Sequence, residues 1–214
     1  MPEFEKLHQA VLDGDQKAAR SLTEAMLAEG VAPLDMITKA MVPAMDEVGR
    51  RFECEEYFVP ELLLSARAMK ASMELLRPLL TASGAQPAGR VVIGTVKGDL
   101  HDIGKNLVAS MLEGGGFEVV DLGADVAPEK FIEAVKQSGA QIVALSALLT
   151  VTMPSMRTTI DALNQAGIRN QVKVMVGGAP VTSQFATEIG ADGYSENASA
   201  AVQLARKLMA GSQA

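Results

Sequence analysis

The sequence predicts a two-part α/β protein: an N-terminal helical bundle over residues 1–88, then a doubly wound, five-stranded parallel sheet over residues 89–214. Three observations predict it. Before position 80 the apolar residues recur only at helical spacing. After position 89 short β-branched runs alternate with helical patterns. Between the two, residues 81–89 (TASGAQPAG) are small and polar and are broken by Gly and Pro, which is the composition of a flexible linker.

In the first half, Leu7, Val11, Ala18 and Leu22 supply the apolar face of the opening helices, with a break at Gly14-Asp15. The pattern continues over 19–29 and stops at Gly30. Pro33 suits the first turn of the next helix, whose apolar face is Leu34, Ile37, Met41 and Val48. A last helix is predicted over 61–80, after Pro60, with Leu62, Leu63, Ala66, Met69, Met73 and Leu76 inward. No Val/Ile/Thr-rich alternating run interrupts them, so a four- or five-helix bundle follows. Met41, Met45, Met69 and Met73 read as core filler at helical spacing.

In the second half, strands are expected at 91–96, 118–122, 141–146 and 172–176, with a weaker one at 192–195. Helices are expected at 103–113, 128–138, 153–165, 182–189 and 198–209. Three of them run into glycine, at Gly114-Gly115-Gly116, Gly139 and Gly167, as helix C-termini prefer. Continuous apolar runs rather than alternation predict strands buried on both faces. Five β-α units of this kind build a flavodoxin-like or Rossmann-like sheet.

Composition narrows the function. With 19 Lys+Arg against 26 Asp+Glu the net charge is −7, and no basic stripe is present, which argues against nucleic acid as a partner. No apolar run approaches a membrane span, and the opening Met-Pro-Glu-Phe-Glu-Lys lacks the pattern of a secretion signal. The single cysteine, Cys54, cannot form an internal disulfide, so a reducing cytoplasm is the expected location. Cys54 lies among Glu53, Glu55 and Glu56 and reads as an unreactive thiol.

Chemistry is expected where strands end, because open α/β sheets bind ligands there. The loop after the first strand carries Gly98-Asp99-Leu100-His101-Asp102-Ile103-Gly104, with one of only two histidines in the chain. In extended backbone, Asp99 and His101 would point to the same side. A carboxylate on one ring nitrogen orients the other toward a metal. Asp102 reads as the N-cap of the following helix, and Gly104 would let its first turn pass close to a bulky group. By itself, His101 is as readily a surface-loop histidine beside a neighbouring charge. No cysteine and no second histidine lie near it, so a zinc site built from protein alone is poorly supported. A metal ligand here requires a metal that brings its other ligands, as in a tetrapyrrole-like cofactor. Gly104-Lys105 lacks the glycine and hydroxyl of a phosphate loop, and no Gly-x-Gly-x-x-Gly follows the first strand.

Asp99-x-His101-x-x-Gly104, then Ser146-x-Leu148, then Gly177-Gly178, in that order, resembles the signature of cobalamin-binding domains of the methionine synthase and corrinoid methyl-carrier class. The segment Val48-Gly49-Arg50-Arg51-Phe52 followed by Phe58-Val59-Pro60-Glu61-Leu62 is similar to that family's helical cap. The resemblance covers essentially the whole chain. It implies a cobalamin held base-off, with His101 as the lower axial ligand of cobalt, and Asp99 and a hydroxyl tuning it. Thr152 sits where methionine synthase has a serine. Ser146, Leu148 and Thr150 would line the channel for the displaced nucleotide tail, and Gly177 and Gly178 would lie against its base. Gly94, Thr95, Gly98, Gly123, Asp102 and Ile103 would belong to the same slot. Phe58 would cover the reactive face of cobalt, although the sequence equally allows it a place in the bundle core.

The same resemblance implies a role as methyl carrier between a substrate-specific methyltransferase and a corrinoid:acceptor methyltransferase, with tetrahydrofolate or coenzyme M as acceptor and a reductive activation protein as a further partner. Methylamines, glycine betaine, methanol and aryl methyl ethers all stay open as donors, because that choice resides in the partner. The alternatives are a cobalamin-dependent sensor, the cofactor-binding subunit of an adenosylcobalamin mutase, and a flavodoxin-like domain without cofactor.

Overall fold

Four helical runs build the first part of the chain: α1 (Pro2–Leu12), α2 (Gln16–Ala28), a run made of α3 (Pro33–Met36), a π-helical turn (Ile37–Met41) and α4 (Val42–Glu53), and α5 (Val59–Ser83). The structure, a computed structural model, describes residues 2–83 and 87–211. It divides into two units, Met1–Pro87 with Glu113–Gly116, and Ala88–Leu112 with Phe117–Ala214.

The helical unit buries Leu7, Val11, Met26, Met36, Met41, Met45, Val48, Leu62, Met69 and Leu76. Each such side chain contributes roughly 1.5–3 kcal/mol when fully withdrawn from water. Leu34, expected inward, is half exposed instead. The π-helical turn replaces the uninterrupted helix that the periodicity predicts. Pro43 has no N–H to give to the Lys39 carbonyl, and just before it the Val42 N–H bonds back to Ile37.

Helix α5 begins two residues earlier than expected because the Glu61 carboxylate accepts the Phe58 N–H at 2.9 Å, reaching back from the third helical position to the cap. It also runs on through Ser83, so the first three residues of the expected linker are helical. Residues 84–86 of that linker lie outside the described residues.

The second unit alternates: β1 (Arg90–Thr95), α6 (Ile103–Gly114), β2 (Glu118–Asp121), α7 (Pro128–Ser138), β3 (Ile142–Ser146), α8 (Pro154–Gln165), β4 (Lys173–Gly177), α9 (Ser183–Glu188), β5 (Gly193–Ser195) and α10 (Ala198–Ala210). Glycine ends α7 as expected, Gly139 taking φ +66 as its C-cap. All strand pairs are parallel, in the order β2-β1-β3-β4-β5. Val92, Val143, Val174 and Val176 meet Phe131, Ile160 and Leu163 in the core. The central strands are buried as predicted, but the edge strand β2 is half-buried and ends exposed at Asp121. An edge strand has a neighbour on only one side.

Register places Thr95 beside Ser146 and Ser146 beside Gly177, so these three end level at the sheet's C-terminal edge. From β1 the chain goes outward to β2 and then returns to β3 on the other side. The loops after β1 and β3 therefore part at the switch point where such sheets bind ligands. Among the described residues, no helix is long and apolar enough to cross a membrane.

Candidate functional site

Beyond Thr95 the chain turns sharply. Gly98 takes φ +87, a left-handed conformation that a side chain resists, and the Asp99 N–H returns to the Val96 carbonyl at 3.1 Å. This turn carries the Asp99 carboxylate into the interior, where it is fully buried. Asp99 and His101 meet through an aspartate turn, in which Asp99 Oδ1 accepts the His101 N–H at 3.0 Å and lies 2.8 Å from Nδ1 of the His101 ring. The Thr95 hydroxyl donates to the His101 carbonyl at 3.0 Å and steadies the same residue from below.

The other oxygen, Oδ2, accepts from the loop after β3: the Leu148 N–H at 2.8 Å, the Leu149 N–H at 3.3 Å and the Thr152 hydroxyl at 2.6 Å. Burial pushes the Asp99 acid up. The Thr152 hydroxyl, the His101 and Leu148 amides and the His101 ring together outweigh it and hold the carboxyl well below the usual carboxylate range. An ionised carboxylate only accepts, so Nδ1 of His101 carries a proton toward Asp99, and Nε2 is the ring nitrogen left for a ligand. The His101 side chain is half exposed, and Nε2 makes no hydrogen bond to the described residues.

The two loops that meet at Asp99 carry apolar side chains that a protein surface would normally hide. Ile103 and Val151 are 81% and 80% exposed, and Leu100, Leu148 and Leu149 are also exposed. A Cβ added at Gly104 or Gly123 would meet nothing within 4 Å, so both glycines border open space. Asp102 occupies the N-cap position, its main-chain carbonyl accepting the Asn106 N–H at 2.8 Å.

The remaining expected residues divide. Ser146 and Gly177 sit level with Thr95 at the strand ends, and Thr150 is exposed on the loop after β3. Gly178 takes φ +129, and a Cβ there would lie 1.9 Å from the Ala147 carbonyl oxygen, so backbone contact already demands glycine. Gly94 is not brought to the site. It is buried, and a Cβ on it would meet the Phe131 ring at 2.8 Å, so close packing onto α7 accounts for it. Phe58 belongs to the helical unit and is 62% exposed, which removes it from the bundle core. Met41, Met45 and Met69 are buried there as core filler, and Cys54 is exposed at the end of α4.

Sequence reasoning gave no role to Leu149, Lys105, Asp121 or Asp125. Lys105 is 2% exposed, with its ammonium on both oxygens of Asp121 and on Asn106. Asp125 is one of two non-glycine residues with positive φ among the described residues. The Gly98 amide, then the Lys97 ammonium, hold its carboxyl below the ordinary range. No spacing rule marks a buried lysine or a left-handed aspartate in advance.

Among the described residues, no group of three His, Cys, Asp or Glu side chains is placed to hold a metal ion. One histidine with a free nitrogen in an apolar rim fits a metal that arrives inside a flat, largely apolar ring. Residues 89–203 match the family model for a B12 binding domain, and residues 3–77 match a second B12 binding domain model. The chain belongs to the B12-binding family. Cobalamin, a corrinoid, is its cofactor.

This B12-binding chain is 45% identical over 206 residues to trimethylamine corrinoid protein 1 of Methanosarcina acetivorans, covering 95% of each chain. Among solved structures it is similar to a cobalamin-binding protein from Desulfitobacterium hafniense, with 36% identity, a TM-score of 0.80, and coverage of 97% and 99% of the two chains. It is also similar to a chain of the methanol:cobalamin methyltransferase complex of Methanosarcina barkeri, with 30% identity, a TM-score of 0.87, and coverage of 98% of this chain and 80% of that one.

Proposed function

We propose that this B12-binding chain is a methyl carrier, serving a substrate-specific methyltransferase and a second methyltransferase that passes the group to tetrahydrofolate or coenzyme M. The bound corrinoid supplies the chemistry, because its cobalt can take up and release a methyl group. The observation that carries this reading is the Asp99–His101 pair, its Nε2 without a partner among the described residues, on loops whose apolar side chains are exposed.

In this reading His101 would hold the cobalt of the corrinoid through Nε2. Asp99 holds the Nδ1 proton in place, and Thr152 fixes Asp99. Leu100, Ile103, Leu148, Leu149 and Val151 would exclude water from around the bound corrinoid. The small residues at the strand ends (Ser146, Gly177 and Gly178) accept the nucleotide tail, and Gly104 and Gly123 leave room at the rim. Phe58, exposed on the helical unit, shields the reactive face between reactions.

Identity to the trimethylamine relative exceeds that to the methanol complex, which supports a methylamine as the donor. A reductive activation protein is a further partner in this reading. The chain loaded with cobalamin tests it. Wild type gives a histidine-ligated absorption spectrum and accepts methyl groups when a trimethylamine methyltransferase and its substrate are added. The His101→Ala protein loses the histidine-ligated spectrum. An unchanged spectrum removes His101 as ligand, and absence of transfer with every amine methyltransferase removes the donor class.

A further inference from the structure

We infer that the end of β2 and the loop after it position His101, through two aspartates four residues apart, Asp121 and Asp125, that grip the His101 loop on either side. The inference rests on the reading of His101 as the axial ligand.

Upstream of His101, Asp125 holds the turn that buries Asp99. Its Oδ1 accepts the Gly98 N–H at 2.8 Å, and its own N–H donates to the Asp99 carbonyl at 2.9 Å. Asp125 adopts φ +55 to do both, a conformation that costs a non-glycine side chain free energy unless its surroundings impose it. Its pair with Lys97 at 3.1 Å is exposed on both sides, and such pairs contribute little. The bond to the Gly98 amide is therefore the one that counts.

Downstream, Asp121 holds Lys105, the second residue after Ile103 in the first turn of α6. Lys105 is almost completely buried, and an ammonium withdrawn from water is tolerated only while paired. Its ammonium meets both Asp121 oxygens and Asn106 Oδ1, the last at 2.6 Å. Asp121 Oδ1 also accepts the Gly123 N–H at 2.9 Å, and the Gly123 carbonyl accepts the Thr95 N–H at 2.9 Å. Residues 98–105, with His101 at their middle, are thus fastened at one end to the last residue of β2 and at the other to the loop that follows it. Asp121 and Asp125 are positioning residues, acting on cobalt only through the aim of His101.

The test measures corrinoid affinity, and the nitrogen splitting in the electron paramagnetic resonance spectrum of the cobalt(II) form, for Asp125→Gly, Asp125→Asn and Asp121→Asn, each alone and combined with His101→Ala. Asp125→Gly keeps the backbone conformation and removes the carboxylate. It binds cobalamin about tenfold more weakly, the range in which loss of an outer partner loosens a metal site, and loses part of the nitrogen splitting. Asp125→Asn still accepts from Gly98 and stays within about threefold of wild type. With His101→Ala present, Asp125→Gly adds less than about a twofold loss, because a residue acting through His101 has nothing left to aim. Asp121→Asn carries the same expectation, should Asp125→Gly fail to fold. Wild-type affinity and full splitting in Asp125→Gly, or an equal loss with and without His101, overturn the inference. A His101→Ala protein with wild-type splitting instead removes the ligand reading beneath it.

Discussion

Thr152 Oγ1 lies 2.6 Å from Asp99 Oδ2, and both residues are buried although 53 positions separate them in the chain. The Thr152 hydroxyl also lies 2.8 Å from the Leu149 carbonyl, but it has one proton. The ionised carboxylate is the stronger acceptor and takes it. Thr152→Val leaves Asp99 with one donor fewer in the interior. Hydrogen bonds to charged groups contribute roughly 1.5–3 kcal/mol, so urea unfolding of the cofactor-free protein is expected to show a loss of that size. Thr152→Ser keeps the donor and most of the stability. Equal losses in the two variants would assign the effect to packing of the methyl group.

Gly178→Ala strikes the same loop from the β4 side. The added Cβ meets the Ala147 carbonyl oxygen at 1.9 Å, and φ +129 is unfavourable for any side chain. Backbone strain alone costs roughly 1–3 kcal/mol. Ala147 precedes the two amides that hold Asp99, so the variant is expected to lose cobalamin affinity along with stability. Thermal unfolding and a binding titration on the same sample check both.

Gly104→Ala should separate binding from folding. Gly104 is in the first turn of α6 with nothing within 4 Å of an added Cβ. Alanine is the better helix residue, by up to about 1 kcal/mol in a helix interior, so the cofactor-free protein is expected to be as stable as wild type or more so. Cobalamin binding should weaken nevertheless, because the methyl group enters the space reserved for the ring. Undiminished binding would place the ring elsewhere.

Glu47 gives the helical unit a pH dependence. Its bonds to Arg50 at 2.7 Å and Arg51 at 2.8 Å lower its carboxyl to about 2. Arg51 in turn lies over the Tyr57 ring and donates to its hydroxyl. A folded-state value below the unfolded one, about 4.3, means stability that is complete above the unfolded value and lost as pH falls toward 2. Glu47→Gln should therefore melt below wild type at pH 7, with the gap closing by pH 2. A constant gap across that range would show that charge is not its source.

Phe58→Ala removes an exposed ring and should leave the melting temperature unchanged. In the cobalamin-loaded chain it should speed oxidation of reduced cobalt, followed by absorbance. An unchanged oxidation rate would separate Phe58 from shielding.

Periodicity and punctuation were enough for the α/β class, the order of elements and the loop that carries His101, because these depend on which residues face apolar surroundings every two or every 3.6 positions. Local spacing also paired Asp99 with His101, which are two residues apart. The limits of helix α5 were less legible, since its start depends on Glu61 reaching back to the Phe58 amide. The hold on Asp99 from the Leu148 and Leu149 amides, the burial of Lys105 against Asp121, and the left-handed Asp125 on Gly98 came from the fold alone, whereas the Thr152 hydroxyl at Asp99 was expected from the resemblance. Each joins residues from separate strand ends, and their distance is set by sheet register and the turn of the chain, which no one-dimensional pattern encodes.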